Sequence, residues 1–343
     1  MPAAIAIGDV EQKAIDELGL RRIDASELTI ERTADNDKFA YFRDGKRPVG
    51  RRDRNRIIEL AIPPAWAEVR IAQDPDAHLQ AVGRDDAGRL QYIYHSAWED
   101  VRAAAKAVRL TQLGQAISNL RPAVEEDLKN GGVRLPLAVA AHLVDLLHLR
   151  AGHESYAGDE GGRGVATLLK QHVKVDGANF LLRFRGKGGK LIEKVHTDTA
   201  LAEALAALRS IRGPRLFKLQ TEHGYRPMTA SDLNAYLAEI AGKPITAKDF
   251  RTFYASGTAL DHLSQLGTIE APTARRRAVA EVARAISAEL ANTPAVVRKS
   301  YIHPRIIEKF EHGELSTMTN SRTRAWMSAA ESKLMRFFEA TET

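Results

Sequence analysis

The sequence predicts an α+β protein in two parts. A small β-rich amino-terminal domain should occupy residues 1–97. A larger, mainly α-helical domain with an embedded three-stranded β-meander should occupy 98–343. Three observations carry this. Up to about residue 100 the chain breaks into short apolar runs divided by Gly, Pro and Asp. From Trp98 turn residues thin out and a helical period takes over. At 171–197, "QHVKVDGANFLLRFRGKGGKLIEKVHT" interrupts the helices with strand-like alternation. At 343 residues, two domains can each bury a core.

In the first part, "FAYFRDG", "IIELAIPPAW", "HLQAVG" and "RLQYIYH" read as short strands, the last two paired as a hairpin across "RDDAG". Helices follow at "WEDVRAAAKAVRLTQLGQAISNLRPAVEEDLK" and "LPLAVAAHLVDLLHLRAG". The meander turns at "DG" and "GKGG", which puts Lys187 in its second turn. "TALAEALAALRSI", "TASDLNAYLAEIAG", "TAKDFRTFYASGTAL" and "RAVAEVARAISAELA" are helices, the last with an apolar stripe at Val279, Val282, Ile286 and Leu290. "RTRAWMSAAESKLMRFFEA" closes the chain as another helix, and no internal repeat is present.

Composition narrows the function. Hydrophobic content of 44% and charged content of 27% fit a soluble globular protein. Without cysteine there is no disulfide framework, thiolate zinc site or cysteine nucleophile, and a reducing cytoplasm is the expected compartment. The amino terminus meets acidic residues too early for a signal peptide. "LPLAVAAHLVDLLHL" is short for a membrane span and carries Asp145, His142 and His148, so it reads as a core helix with core or interface histidines. Net charge is +6, and it is clustered: "RDGKRPVGRRDRNR" (43–56), which includes Arg51 and Arg52, sets seven cations against two aspartates. "ARRR" (274–277), with Arg275, forms a second cluster. Such clusters favour a polyanion such as nucleic acid, and solvated charged faces are the plainer alternative.

Several motifs are set aside. "GDEGGRGVATLLK" and "RGKGGK" lack Walker spacing, and Gly188 follows Lys187 where Ser or Thr is needed to hold magnesium. "HESYAGDE" lacks the second histidine of a zinc helix, and there is no serine-nucleophile elbow.

"VVRKSYIHP" (296–304) places Tyr301 just after Arg298 and Lys299. A free phenol has a pKa near 10, so about one in a thousand is ionised at pH 7, a deficit of roughly 4 kcal/mol unless cations lower it. Phosphodiester transfer without a metal needs such a nucleophile, guanidinium groups to grip the phosphate, and a mobile acid for the leaving oxygen. Suitable parts are Arg150 in "LLHLRAGHESYA", Lys187 in "FRGKGG" with Lys190 as a nearby rival, and Lys248 with Arg251 in "KDFRTFYAS". Asn292 stands nine residues before Tyr301. Each also has a structural reading: Arg150 as a helix cap, Lys187 as a solvated turn residue, Arg251 as an ion-pair partner, Lys248 as a phosphate contact only, Tyr301 as a half-buried aromatic.

From about residue 36 to about 315, the order and spacing of these motifs resemble the type IB DNA topoisomerases of the small, poxvirus-like and bacterial kind. The resemblance implies that Arg150, Arg251 and Asn292 surround the scissile phosphate, that Lys187 protonates the leaving 5′ oxygen, and that Tyr301 becomes joined to the 3′ phosphate. Asn292 departs from the histidine common in the family; an amide donates a hydrogen bond but cannot become a cation, which implies less dependence on a titrating imidazole and slower chemistry. "KRPVGRRDRNRIIELAIPPAW" resembles the family's strand-and-turn region. "RLQYIYH" resembles its groove-reading strand, with Gln91, Tyr92 and Tyr94 facing DNA and Arg89 assisting. Alternation puts Leu90, Tyr92 and Tyr94 on one face, which suits a DNA surface and a core equally. Lys299, Lys248, Arg275, Arg51 and Arg52 are the remaining candidate DNA contacts. The implied enzyme relaxes supercoiled duplex DNA without ATP, cofactor or metal, as a cytoplasmic, nucleoid-associated monomer with no membrane partner. Two alternatives stand beside it. One is a tyrosine recombinase, which shares the Arg-Lys-Arg-Tyr set but usually has a helical amino-terminal domain; the other is a non-catalytic DNA-binding protein of the same fold.

Overall fold

A computed structural model of the chain describes residues 7–35, 38–157, 162–315 and 322–340. The chain divides into two compact units, Met1–Val108 and Arg109–Thr343. Among the described residues no helix is long and apolar enough to cross a membrane.

The first unit is built on a six-stranded antiparallel sheet. Its strands are β1 (Ile30–Asp35), β2 (Lys38–Arg43), β3 (Arg47–Pro48), β4 (Ala67–Ile71), β5 (Leu79–Arg84) and β6 (Leu90–Tyr94), in the order β3-β2-β1-β4-β5-β6. The β5–β6 hairpin forms where "RDDAG" predicts it, with Val82 opposite Tyr92. β5, next to the edge strand β6, is buried along nearly its whole length, because clusters pack on it from both faces. One holds Ile30, Ile57, Val69, Ile71 and Ala81; the other holds Ile23, Leu28, Ala77, Leu79 and Val82. Helix α1 (Ile7–Glu17) buries Ile15 against Trp98 and Val101.

One predicted strand does not form. "IIELAIPPAW" (57–66) is expected to be extended, but its first three residues end helix α2 (Arg51–Glu59), which has Gly50 as N-cap and Asp53 in the first turn, and the remainder is turn and coil. The apolar residues of α2 do not alternate. The less exposed positions are Asp53, Arg56, Ile57 and Leu60, spaced by three and four, so the inward stripe follows a helical period and not the period of two that a half-buried strand needs. Arg56 then bonds Gln80 Oε1 and the Ala72 carbonyl, each at 2.5 Å. The charge of this segment is therefore partly spent within the fold.

In the second unit, α3 (Trp98–Asn130), which begins in the first, leads to α4 (Leu135–Leu147), apolar on nearly every side and correspondingly buried. The meander forms as predicted from β7 (Val173–Asp176), β8 (Asn179–Arg185) and β9 (Leu191–Thr197), and it buries Phe180, Leu182 and Phe184 on one face. Helix α5 (Thr199–Ser210) starts at an Asp198 N-cap. Next comes a hairpin absent from the sequence reading, β10 (Lys218–Thr221) with β11 (Gly224–Pro227). Its first residue, Lys218, is buried, and its ammonium bonds the carbonyls of Ile211 and Arg212 just beyond α5.

Helices α6 (Ala230–Ala241), α7 (Ala247–Gln265) and α8 (Pro272–Glu289) follow, and the predicted stripe of Val279, Val282, Ile286 and Leu290 is buried. A single turn, α9 (Pro294–Val296), runs into a π-helical turn at Val297–Tyr301, and α10 (Pro304–Glu311) comes next. The closing helix, α11 (Ala329–Glu339), lies on α7 and α3. A Cβ on Gly114 of α3 would fall 2.0 Å from Met335 Sδ, so only glycine admits this approach. The buried Lys333 bonds Asp261 Oδ1 at 2.5 Å and Ser264 Oγ at 3.1 Å, and Arg121 bridges Asp145 (2.7 Å) and Glu331 (2.7 Å). Arg121→Leu strands two largely buried carboxylates and should cost about 3 kcal/mol, read as a lower denaturation midpoint in urea at unchanged slope.

Candidate active site

Four side chains that span nearly half the chain, Arg150, Arg251, Asn292 and Tyr301, are brought together around the π-helical turn, and each is positioned by a local device. Helix α4 ends in His148, which takes the left-handed conformation at φ 55° and turns Leu149 inward and Arg150 toward the site. The chain after Arg150 folds back on itself. The Arg150 carbonyl accepts from Val165 N and the Ala151 carbonyl from Ala166 N, both at 2.8 Å. This seam needs glycine. A Cβ on Gly164 would sit 2.4 Å from the Arg150 carbonyl oxygen, and one on Gly162 would sit 2.6 Å from the Lys187 backbone. These glycines come from "GDEGGRGVATLLK", set aside above as a phosphate cradle. Its residues 158–161 lie outside those described, and the rest joins the Arg150 segment to the Lys187 turn.

Arg251 lies in the second turn of α7, behind a capping box in which Asp249 accepts from the Thr246 backbone (2.8 Å) and hydroxyl (2.7 Å). Arg251 is 3% exposed. Nη1 donates to the His148 carbonyl and Nη2 to the Leu290 carbonyl at 2.8 Å, while Nε is buried without a partner. The His148 ring stacks on Tyr254 at 3.7 Å, and burial holds its pKa down at about 4, so the ring is neutral. Arg251 therefore has acceptors on one side and the Tyr301 ring on the other, with Cζ 5.0 Å from the ring centroid.

Tyr301 is 9% exposed. Ser256, one helical turn beyond Arg251, donates to the Tyr301 carbonyl at 3.1 Å and accepts from His303 N at 3.0 Å, which pins the backbone on both sides of Ile302. Burial pushes the phenol's pKa up. The Arg251 charge and hydrogen bonding, the Arg150 charge and the Asn292 amide pull it down, and the net position is below the ordinary 10.0.

Asn292 is held on three sides. Its N–H donates to the Ser287 carbonyl at 3.0 Å, its carbonyl accepts from Lys190 Nζ at 2.7 Å, and its Oδ1 accepts from Arg150 Nη2 at 2.6 Å. The amide Nδ2 is left buried, without a full hydrogen-bond partner. A buried unmatched donor is costly, and an anion at this place would satisfy it. Lys190, the rival to Lys187, is thus engaged with Asn292. Lys187 sits exposed in the turn.

The expected DNA contacts divide. Arg51, Arg52, Lys248 and Lys299 are exposed. Tyr92 and Tyr94 are 46% and 40% exposed and stack at 6.2 Å, which resolves the earlier ambiguity in favour of an open face over a core. Gln91 alternates to the other face and donates to Asp85 at 2.8 Å, and Arg89 binds the same carboxylate at 2.8 Å. Arg275 is also spent inside the fold. It donates to the Ile269 carbonyl and, at 2.8 Å, to the Glu311 carbonyl, because it faces the open end of α10; its neighbours Arg276 and Arg277 are the exposed members of that cluster.

The comparisons with known proteins agree with this geometry. Residues 95–327 match the family described as eukaryotic DNA topoisomerase I, catalytic core. Residues 38–85 match the bacterial DNA topoisomerase IB amino-terminal domain. The DNA topoisomerase 1B of Acanthamoeba polyphaga mimivirus is 31% identical over 298 residues, 82% of this chain and 88% of the viral one. The chain belongs to the type IB DNA topoisomerases. Cellular relatives include the mitochondrial DNA topoisomerase I of Pan troglodytes (26% identical, 72% of this chain) and DNA topoisomerase 1 beta of Arabidopsis thaliana (27%, 71%). The match spans only 43% and 27% of those longer proteins. The matched amino-terminal domain is the region on which the recombinase alternative turned, and it favours the topoisomerase.

Sequence reading missed the supporting residues of this topoisomerase: Ser256, His148, Gly162, Gly164 and Lys190 in its actual task. Only Ser256 left a trace, as a polar residue within the mostly apolar "FYASGTAL". Two outcomes follow. Gly164→Ala should lower DNA cleavage by about tenfold or more while the protein still folds, because the Arg150 carbonyl must move. In a phenolate-absorbance titration, the component absent from Tyr301→Phe should rise at a pH below 10 in the otherwise intact enzyme. In Arg251→Ala it should rise above 10, because burial then acts with its main opponent removed.

Proposed function

We propose that this topoisomerase relaxes supercoiled duplex DNA by a transient single-strand break, with Tyr301 as nucleophile. The observation that carries the reading is the buried phenol whose pKa is pulled below its ordinary value by Arg251, Arg150 and Asn292. The Tyr301 oxygen bonds to phosphorus as the bond from phosphorus to the 5′ oxygen breaks. The phenol's proton passes to solvent. The leaving oxygen takes a proton from Lys187, which is exposed at its hairpin tip and free to reach toward DNA. Arg150 and Arg251 neutralise charge on the non-bridging oxygens, and Asn292 Nδ2 supplies a further donor fixed as such by the Arg150 bond to Oδ1.

The 3′-phosphotyrosyl bond conserves the energy of the broken ester, so the free 5′ end rotates about the intact strand and the 5′ hydroxyl reseals it. Torsional strain drives the rotation, and ATP has no role. Arg51, Arg52, Lys248, Lys299 and the open Tyr92–Tyr94 face hold the duplex largely through its backbone. Arg89 joins them once DNA displaces Asp85. The enzyme acts as a monomer on the bacterial nucleoid in the cytoplasm.

The test is relaxation of a supercoiled plasmid by the protein alone, with EDTA present. Relaxation should persist and should fall steeply as salt rises and phosphate contacts are screened. Tyr301→Phe should form no covalent adduct when the reaction is stopped with denaturant, and Arg251→Ala should slow cleavage about 10²–10³-fold. Activity that disappears in EDTA, or an adduct formed by the phenylalanine variant, would overturn the reading.

A further inference from the structure

The turn that carries Lys187 is rich in glycine. Gly186, Gly188 and Gly189 surround the lysine, and Gly188 and Gly189 both adopt positive φ, at 72° and 71°. An ammonium on such a tip samples many positions, and a proton donor is effective only when held near the oxygen it serves. Yet β9, which leaves the turn, is tied to the end of α8 at two places. Lys190 Nζ donates to the Asn292 carbonyl at 2.7 Å, and Lys194 Nζ pairs with Glu289 Oε2 at 2.6 Å.

These two lysines flank the buried Ile192 at even spacing, so they project from one face of the strand. Their partners are three residues apart, on the segment that presents Asn292. A single tie leaves a strand free to pivot, whereas two spaced ties remove the pivot. On the opposite side, the backbone at Gly162 closes on Gly186 and Lys187. The ion pair is only partly buried, with side-chain exposures of 22% and 55%, so its value lies in geometry more than in stability.

We infer that Lys190 and Lys194 are positioning residues that fix the Lys187 turn against the Asn292 segment before DNA binds. This rests on the reading of Lys187 as the acid for the leaving oxygen, and the test separates the two. Cleavage is measured in a single turnover with the full chain on two nicked duplex oligonucleotides, one with the natural 5′ oxygen at the scissile bond and one with sulfur in its place. A thiolate leaves without a proton, so a defect confined to proton donation vanishes on the sulfur substrate.

Lys190→Ala should slow cleavage of the oxygen substrate by about tenfold or more and that of the sulfur substrate by less than about threefold, with DNA affinity unchanged. Lys194→Met should behave alike and more weakly. Lys190→Arg, which keeps a donor, should recover most of the loss. Equal slowing on both substrates would place the effect on Asn292 or the fold and overturn the inference, as would no slowing on either. Lys187→Ala, run in parallel, should show the same selectivity more strongly. If sulfur does not rescue it, the reading of Lys187 fails and the inference falls with it; if sulfur rescues Lys187→Ala but not Lys190→Ala, the inference alone fails. Should Lys190→Ala not fold, Glu289→Gln breaks the second tie from the other side and is judged by the same comparison.

Discussion

The site depends on where one buried guanidinium is held. Arg251 is nearly sealed from solvent, and burial alone lowers its pKa and raises that of Tyr301. Each group offsets the other's desolvation, since the cation favours phenolate and the phenolate favours the cation. The pair works only because two backbone carbonyls, from His148 and Leu290, take two of the guanidinium's donors and leave no freedom for it to turn away. Carbonyls are the right partners here. A carboxylate in their place would neutralise Arg251 and remove the field acting on the phenol.

That requirement explains much of the architecture. The His148 carbonyl is available because α4 stops in a left-handed residue, and the Leu290 carbonyl because α8 has run out of successors that could bond it. Two helix ends, where carbonyls lack partners of their own helix, converge on one helix side chain. Asn292 follows directly after one of these ends and Arg150 after the other, so the same terminations that hold Arg251 deliver the neighbouring groups. Ser256 then joins α7 to the backbone of Tyr301. The geometry of this site and the termination of two helices are one problem in this protein.

This also marks where the sequence was readable and where it was not. Helical period and turn chemistry identify α3, α4, the meander and α5 to α8, because those signals are local. They fail at α2, where a charged run hides a single inward stripe at Ile57, and at β10–β11, where Lys218 occupies a buried position that composition assigns to solvent. Among site residues, Arg150, Lys187, Arg251, Asn292 and Tyr301 are recognisable because their chemical types and order match a reaction. Gly162, Gly164, His148 and Ser256 are not, because their contribution is a backbone contact with a distant segment, which no residue type announces. Arg275 and Gln91 show how the fold engages polar side chains that residue type alone leaves open. Their types suit DNA, but an open helix end and Asp85 engage them first.

The π-helical turn at Val297–Tyr301 has a consequence for how this chain tolerates length change. Its loop of hydrogen bonding closes over one residue more than an α-turn, with Ile302 N bonded to the Val297 carbonyl at 3.0 Å. Successive helical side chains are about 100° apart around the axis. Losing one residue from this turn would restore a regular helix and swing the phenol about a quarter of the way round the helix axis, away from Arg251, with every side chain of the site still present. The stretch from Thr293 to His303 therefore behaves as a ruler, and its length matters as much to the chemistry as the identity of its tyrosine.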